Sequence, residues 1–180
     1  MAIIRMDGTG VPIYSSSTPK HSNISNIAWT PDNSRVIFAT WEGKSCIAGG
    51  TSDIVDAQIW SMNADGSGVE LVAGLLPPFP IESIKPSPTG DEFAMVVVPR
   101  CGEADNAFKI WSSGRLRDLI IGCCKPTEAR GISWSPDGSR IAVLYDTNTP
   151  GDVLRTVKPD GSGVTTLIRR EADGSLVRGR

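Results

Sequence analysis

Three apolar runs of strand length stand out in the chain: Val36-Ile37-Phe38-Ala39, Phe93-Ala94-Met95-Val96 and Ile141-Ala142-Val143-Leu144. They are rich in β-branched and aromatic residues, and no segment carries the spacing of an amphipathic helix. Each run follows a turn signal. The stretches "AWTPDNSRVIFAT" (28–40), "KPSPTGDEFAMVV" (85–97) and "SWSPDGSRIAVLY" (133–145) align on Pro31, Pro88 and Pro136. Proline at the second turn position presets its own φ. Gly90 and Gly138 accept the left-handed conformation that follows, and Asn33 tolerates it better than most residues. The pattern predicts a pair of strands, a and b, flanking each proline turn.

A second element alternates with the first. "RMDGTGVPIY" (5–14), "NADGSGVELV" (63–72) and "KPDGSGVTTL" (158–167) share Asp-Gly-Ser/Thr-Gly-Val, a further turn between strands c and d. "IWSSGRLRDLI" (110–120) uses a shorter turn around Ser113-Gly114, and Ile59-Trp60 and Ile110-Trp111 mark strand c. The chain therefore reads as a half unit at 1–20, lacking a and b, then four-strand units at 24–73, 81–120 and 131–168. Residues 169–180 read as a polar tail or an extra hairpin. Short strands in a repeat of roughly fifty residues predict an all-β propeller of four-stranded antiparallel blades, about three and a half of them in this chain.

The phrases "WSPDGSRIAV" and "IWSMNADGSG" resemble the WD40-like repeats of TolB-type propellers, which also occur in the propeller domains of prolyl-oligopeptidase and tricorn-type peptidases. The resemblance covers about residues 3–168. The unit at 81–120 departs from it, with Thr89 in place of the aspartate and Pro86 where the other units have Trp29 and Trp134. The resemblance implies a periplasmic or otherwise extracytoplasmic setting.

Composition narrows the function classes. With 180 residues and 39% hydrophobic content the chain can bury a core. A net charge of -2 gives no basic footprint for nucleic acid. No apolar run is long enough for a membrane helix, and Met1-Ala-Ile-Ile-Arg turns polar too soon for a signal peptide. A lone histidine, His21, excludes a multi-histidine metal site, and the four cysteines show no CxxC spacing. Asp7, Asp65 and Asp160 offer one carboxylate per turn, too few for a calcium loop of the EF-hand kind. No metal and no cofactor is expected. The glycines lead into strands, whereas phosphate-binding loops open onto a helix.

Strand direction sorts the connections. The stereotyped a–b and c–d turns fall at one end of the blades and the variable b–c and d–a loops at the other, where binding usually resides. Candidate contact residues there are Trp41, Asp53, Asp56, Arg100, Glu103, Asp105 and Asp146. Trp41 has no counterpart in the other units, whereas Trp29, Trp134, Trp60 and Trp111 recur at matching positions and read as packing between blades. Cys46 and Cys101 hold comparable b–c positions and would pair in an oxidising compartment, or remain free thiols. Cys123 and Cys124 would compete for that bond.

The chain contains no Gly-x-Ser-x-Gly elbow and no defensible Ser/His/Asp set. A non-catalytic TolB-like scaffold that binds a protein or peptide is the leading expectation. The alternative is the propeller portion of a peptidase or glycan-processing enzyme whose catalytic domain lies outside this chain. Open blade edges predict self-association.

Overall fold

The computed structural model describes residues 2–4, 10–12, 23–42, 56–75, 81–90, 92–97, 107–119, 121, 128–147 and 151–179. Strands β1 (Ala2–Ile4) and β2 (Gly10–Pro12) form a lone antiparallel pair. Three larger sheets follow. The first holds β3 (Asn23–Trp29), β4 (Arg35–Glu42), β5 (Asp56–Asn63) and β6 (Glu70–Leu75). The second holds β7 (Ile81–Pro86), β8 (Glu92–Val97), β9 (Ala107–Ser112) and β10 (Arg115–Asp118). The third holds β11 (Glu128–Trp134), β12 (Ile141–Asp146), β13 (Asp152–Val157), β14 (Thr165–Arg170) and a fifth strand, β15 (Leu176–Arg178). Every sheet is an antiparallel meander with its strands in chain order. The first strand of each larger sheet carries a bulge near its start, at Ser25/Ile27, Ile81/Ser83 and Ala129/Gly131.

The sheets pack face to face, and β8 shows how. Its alternate side chains point to opposite faces. Phe93, Met95 and Val97 join Ile37, Ala39 and Ile59 of the first sheet in one core. Ala94 and Val96 join Phe108, Ile110, Ile141, Val143 and Tyr145 in another, shared with the third sheet. A strand buried on both faces needs a continuous apolar run, which is what Phe93–Val97 supplies. Strand β12 is packed on one face only. Ile141, Val143 and Tyr145 are buried, while Leu144 is 38% exposed, as is Ile168 of β14. Each buried Ile, Val or Phe is worth about 1.5–3 kcal/mol, so these two cores outweigh the exposed ion pairs, each worth about 0–1 kcal/mol.

Residues 171–175 repeat the aspartate–glycine turn at the end of β14. Gly174 N donates to Glu171 O at 2.9 Å and Ser175 N to Asp173 Oδ1 at 2.8 Å, turning the chain back to place β15.

Candidate functional site

The proline corners are closed on themselves. In Ser135–Arg140, Gly138 N donates to Ser135 O at 2.9 Å and Ser135 N to Arg140 O at 2.8 Å. The Asp137 carboxylate accepts from Ser135 Oγ at 2.6 Å, Ser139 N at 3.0 Å and Ser139 Oγ at 2.8 Å. The corner at Thr30–Arg35 repeats this, with Asp32 accepting from Thr30 Oγ1 at 2.6 Å and Ser34 N at 3.1 Å. Donors aimed at the ionised form lower a carboxylate pKa. Asp137 falls from 3.8 to about 2, chiefly through the Ser135 hydroxyl, and Asp32 does the same through Thr30. A carboxylate so occupied is a poor general base. Asp65 and Asp160 are lowered by Ser67 and Ser162. Among the described residues no group of three or more His, Cys, Asp or Glu side chains could hold a metal.

An arginine ties the two turns of a sheet together. Arg140, the last residue of its corner, donates to Thr156 Oγ1 at 3.0 Å and to Gly163 O at 2.5 Å. Arg35 makes the same reach, to Ser61 Oγ at 2.7 Å and Gly68 O at 2.8 Å, and pairs with Glu70 at 2.6 Å. The second sheet inverts the charges: Glu92 pairs with Arg117 at 3.6 Å. Sequence reading passed over these groups. The repeated place of Arg35, Glu92 and Arg140 at the close of each corner is the signal that could have found them.

The opposite end holds the loop-end candidates. Trp41 lies on β4, half-buried against the core between the first two sheets. Asp56 opens β5, paired with Glu42. Asp146 closes β12 and pairs with Arg130 at 3.4 Å, and Arg130 also reaches Asp152 at 3.5 Å, which Arg170 approaches at 3.4 Å. Arg130 and Arg170 thus neutralise part of the acidic charge of Asp146 and Asp152. Asp53, Arg100, Glu103, Asp105, Cys46 and Cys101 lie outside the described residues.

The tryptophans divide. Trp60 Nε1 donates to the buried Thr40 Oγ1 at 3.0 Å, Trp111 packs against Phe93 with the rings tilted and their centroids 5.2 Å apart, and Trp134 Nε1 donates to Lys85 O at 2.9 Å. Trp29, at the position matching Trp134, is instead 48% exposed.

No protein-family model and no curated protein sequence matches the chain. Solved structures do. A nidogen/laminin complex matches 94% of this chain with a TM-score of 0.54 at 14% identity, over 66% of its own chain. A protein assigned as a 6-phosphogluconolactonase from Bacteroides uniformis matches 98% with a TM-score of 0.53 at 14% identity, over 56% of its length. A protein assigned as TolB from Agrobacterium tumefaciens matches 81% with a TM-score of 0.50 at 15% identity, over 61% of its length. The fold is a partial β-propeller. The likeness reaches the fold alone, and the chain spans less than two thirds of each of these structures. The three larger sheets are its blades, β3, β7 and β11 being the inner strand of each. No helix among the described residues is long and apolar enough to cross a membrane.

Proposed function

We propose that this chain is a non-catalytic, TolB-like propeller scaffold that binds a protein or peptide through the loop end of its blades. The supporting observation is the contrast between the two ends. At the turn end the polar groups of the corners are consumed by the corners themselves, Asp32 and Asp137 most fully. The connections from Glu42 to Asp56 and from Val97 to Ala107 are far longer and vary in sequence, which suits recognition on a rigid frame. One of the similar structures is itself a protein–protein complex.

The proposed setting is extracytoplasmic, with Cys46 and Cys101 paired. Alkylation without reductant followed by intact mass checks this: two or more protected thiols are expected, and four modified thiols overturn the pairing. For binding, peptides selected on the immobilised chain are titrated against variants with alanine at Trp41, Asp53, Asp56, Arg100, Glu103, Asp105 or Asp146. At least one is expected to weaken binding about tenfold, the effect of losing one good contact. Affinity unchanged by all seven overturns the loop-end reading.

A further inference from the structure

Adjacent inner strands leave a slot between them, and it is filled differently in the two blade pairs. Between the second and third blades, Trp134 occupies the slot against the shared core, its Nε1 bonded to the Lys85 carbonyl at 2.9 Å. The proline corners above it touch. A Cβ added at Gly138 would sit 3.2 Å from Thr89 Cγ2 and 3.6 Å from Ser87 Oγ.

Between the first and second blades the position of Trp134 belongs to Pro86. Its cross-strand partner is Phe93, where Trp134 faces Ile141. The aromatic bulk has moved one strand outward, onto Trp111. The corners do not meet: Gly90, the counterpart of Gly138, has nothing within 4 Å of its Cβ position. The two blades still grip one another near the start of their inner strands, where Asn26 Nδ2 donates to Ile81 O at 2.5 Å. They part toward the turns. The result is a groove of about 520 Å³ walled by Pro31, Pro86, Pro88 and Phe93, with Asp32 and Arg35 also lining it.

We propose that this groove is a binding site for a tryptophan side chain carried by a partner polypeptide. The protein supplies the precedent, since a tryptophan on an extended strand fills the matching slot one blade further on. The walls suit an aromatic ring, being formed by three prolines and Phe93, and the volume is that of a ligand pocket. An ionic ligand is disfavoured because Asp32 and Arg35 already hold their partners within the blade. Ala28, paired with Ile37, is the register counterpart of Lys85, paired with Ala94; the Lys85 carbonyl takes the Trp134 indole N–H, the polar handle that buried tryptophans use. The site lies at the turn end and stands or falls independently of the loop-end reading.

The test uses the full chain and two capped tripeptides, Ac-Gly-Trp-Gly-NH₂ and Ac-Gly-Leu-Gly-NH₂, titrated by NMR. The tryptophan peptide is expected to give saturable shifts centred on Thr89, Gly90 and Phe93, with the leucine peptide about tenfold weaker or more. Pro86→Trp restores the residue found in the other two blades and is expected to abolish those shifts. Pro31→Ala removes one wall at an exposed corner and is expected to weaken them about threefold or more, giving a readout even if Pro86→Trp fails to fold. Saturable shifts that are absent from the groove, equal for the two peptides, or unchanged by Pro31→Ala overturn the proposal.

Discussion

Arg140 joins two turns that are 23 residues apart in sequence, its Nη2 reaching the Gly163 carbonyl at 2.5 Å. The guanidinium is partly buried and also holds Thr156. Bonds from a charged donor exceed neutral ones, and solvent access reduces them. Arg140→Ala should cost about 1–2 kcal/mol, read as a lower urea midpoint at unchanged slope. Arg140→Lys should not restore it, because lysine lacks the planar fork.

Trp134 and Trp29 should respond very differently to the same substitution. Trp134→Ala empties an occupied slot and should cost about 3–5 kcal/mol, with Trp134→Phe losing about 1 kcal/mol for the missing donor. Trp29→Ala should cost about 1 kcal/mol or less, given its exposure. Thermal melts of the three variants compare them directly, and equal losses would contradict the packing described.

Acid should reach the proline corners before it reaches the cores. Asp32 and Asp137 have folded pKa values of about 2 against an ordinary 3.8. Their contribution is therefore complete above about pH 4 and disappears as pH falls toward 2. The double variant Asp32→Asn/Asp137→Asn should show a shallower loss of stability across that window. Parallel curves for variant and parent would count against the corner hydrogen bonds.

Gly138 and Gly90 separate backbone strain from contact. Both have positive φ, +70° and +94°, so alanine at either costs about 1 kcal/mol in conformation. Only at Gly138 does the new methyl also press on Thr89. Gly138→Ala should be the more destabilising by about 0.5–1 kcal/mol, measured by denaturant titration.

Leu144 and Ile168 lie exposed on the outer face of the last blade. Leu144→Lys/Ile168→Lys should lower any concentration-dependent mass seen by light scattering while leaving the melt cooperative. Unchanged association would place the contact elsewhere.

The strands and corners were legible because their signals are local. Pro31, Pro88 and Pro136 with Asn33, Gly90 and Gly138 specify a turn without reference to anything distant, and Phe93–Val97 announces its own burial. Contacts between elements were hidden. Trp29 and Trp134 are the same letter in the same phrase, and only a neighbouring blade packs one of them against a core. Ile141–Leu144 is as apolar as Phe93–Val96, yet Leu144 faces outward. Arg35 and Arg140 look like ordinary surface charges until their turns are brought together. Pro86 registered as a departure from the repeat, but its consequence, a groove, depends on the blade beside it. Of the loop-end candidates, Trp41 proved to be partly core and Asp146 to be ion-paired.

The charge reversal between Arg35–Glu70 and Glu92–Arg117 bears on how a chain of repeated modules sorts itself during folding. Should the β3–β4 hairpin dock on β9–β10, Arg35 would confront Arg117. The reciprocal error, β7–β8 against β5–β6, would set Glu92 beside Glu70. Like charges brought together raise the energy of the wrong assembly without being needed to hold the right one. Repeats that share turns and cores are prone to such exchange. A single inverted pair in the middle module therefore works as a polarity key against exchange of hairpins between the first and second modules.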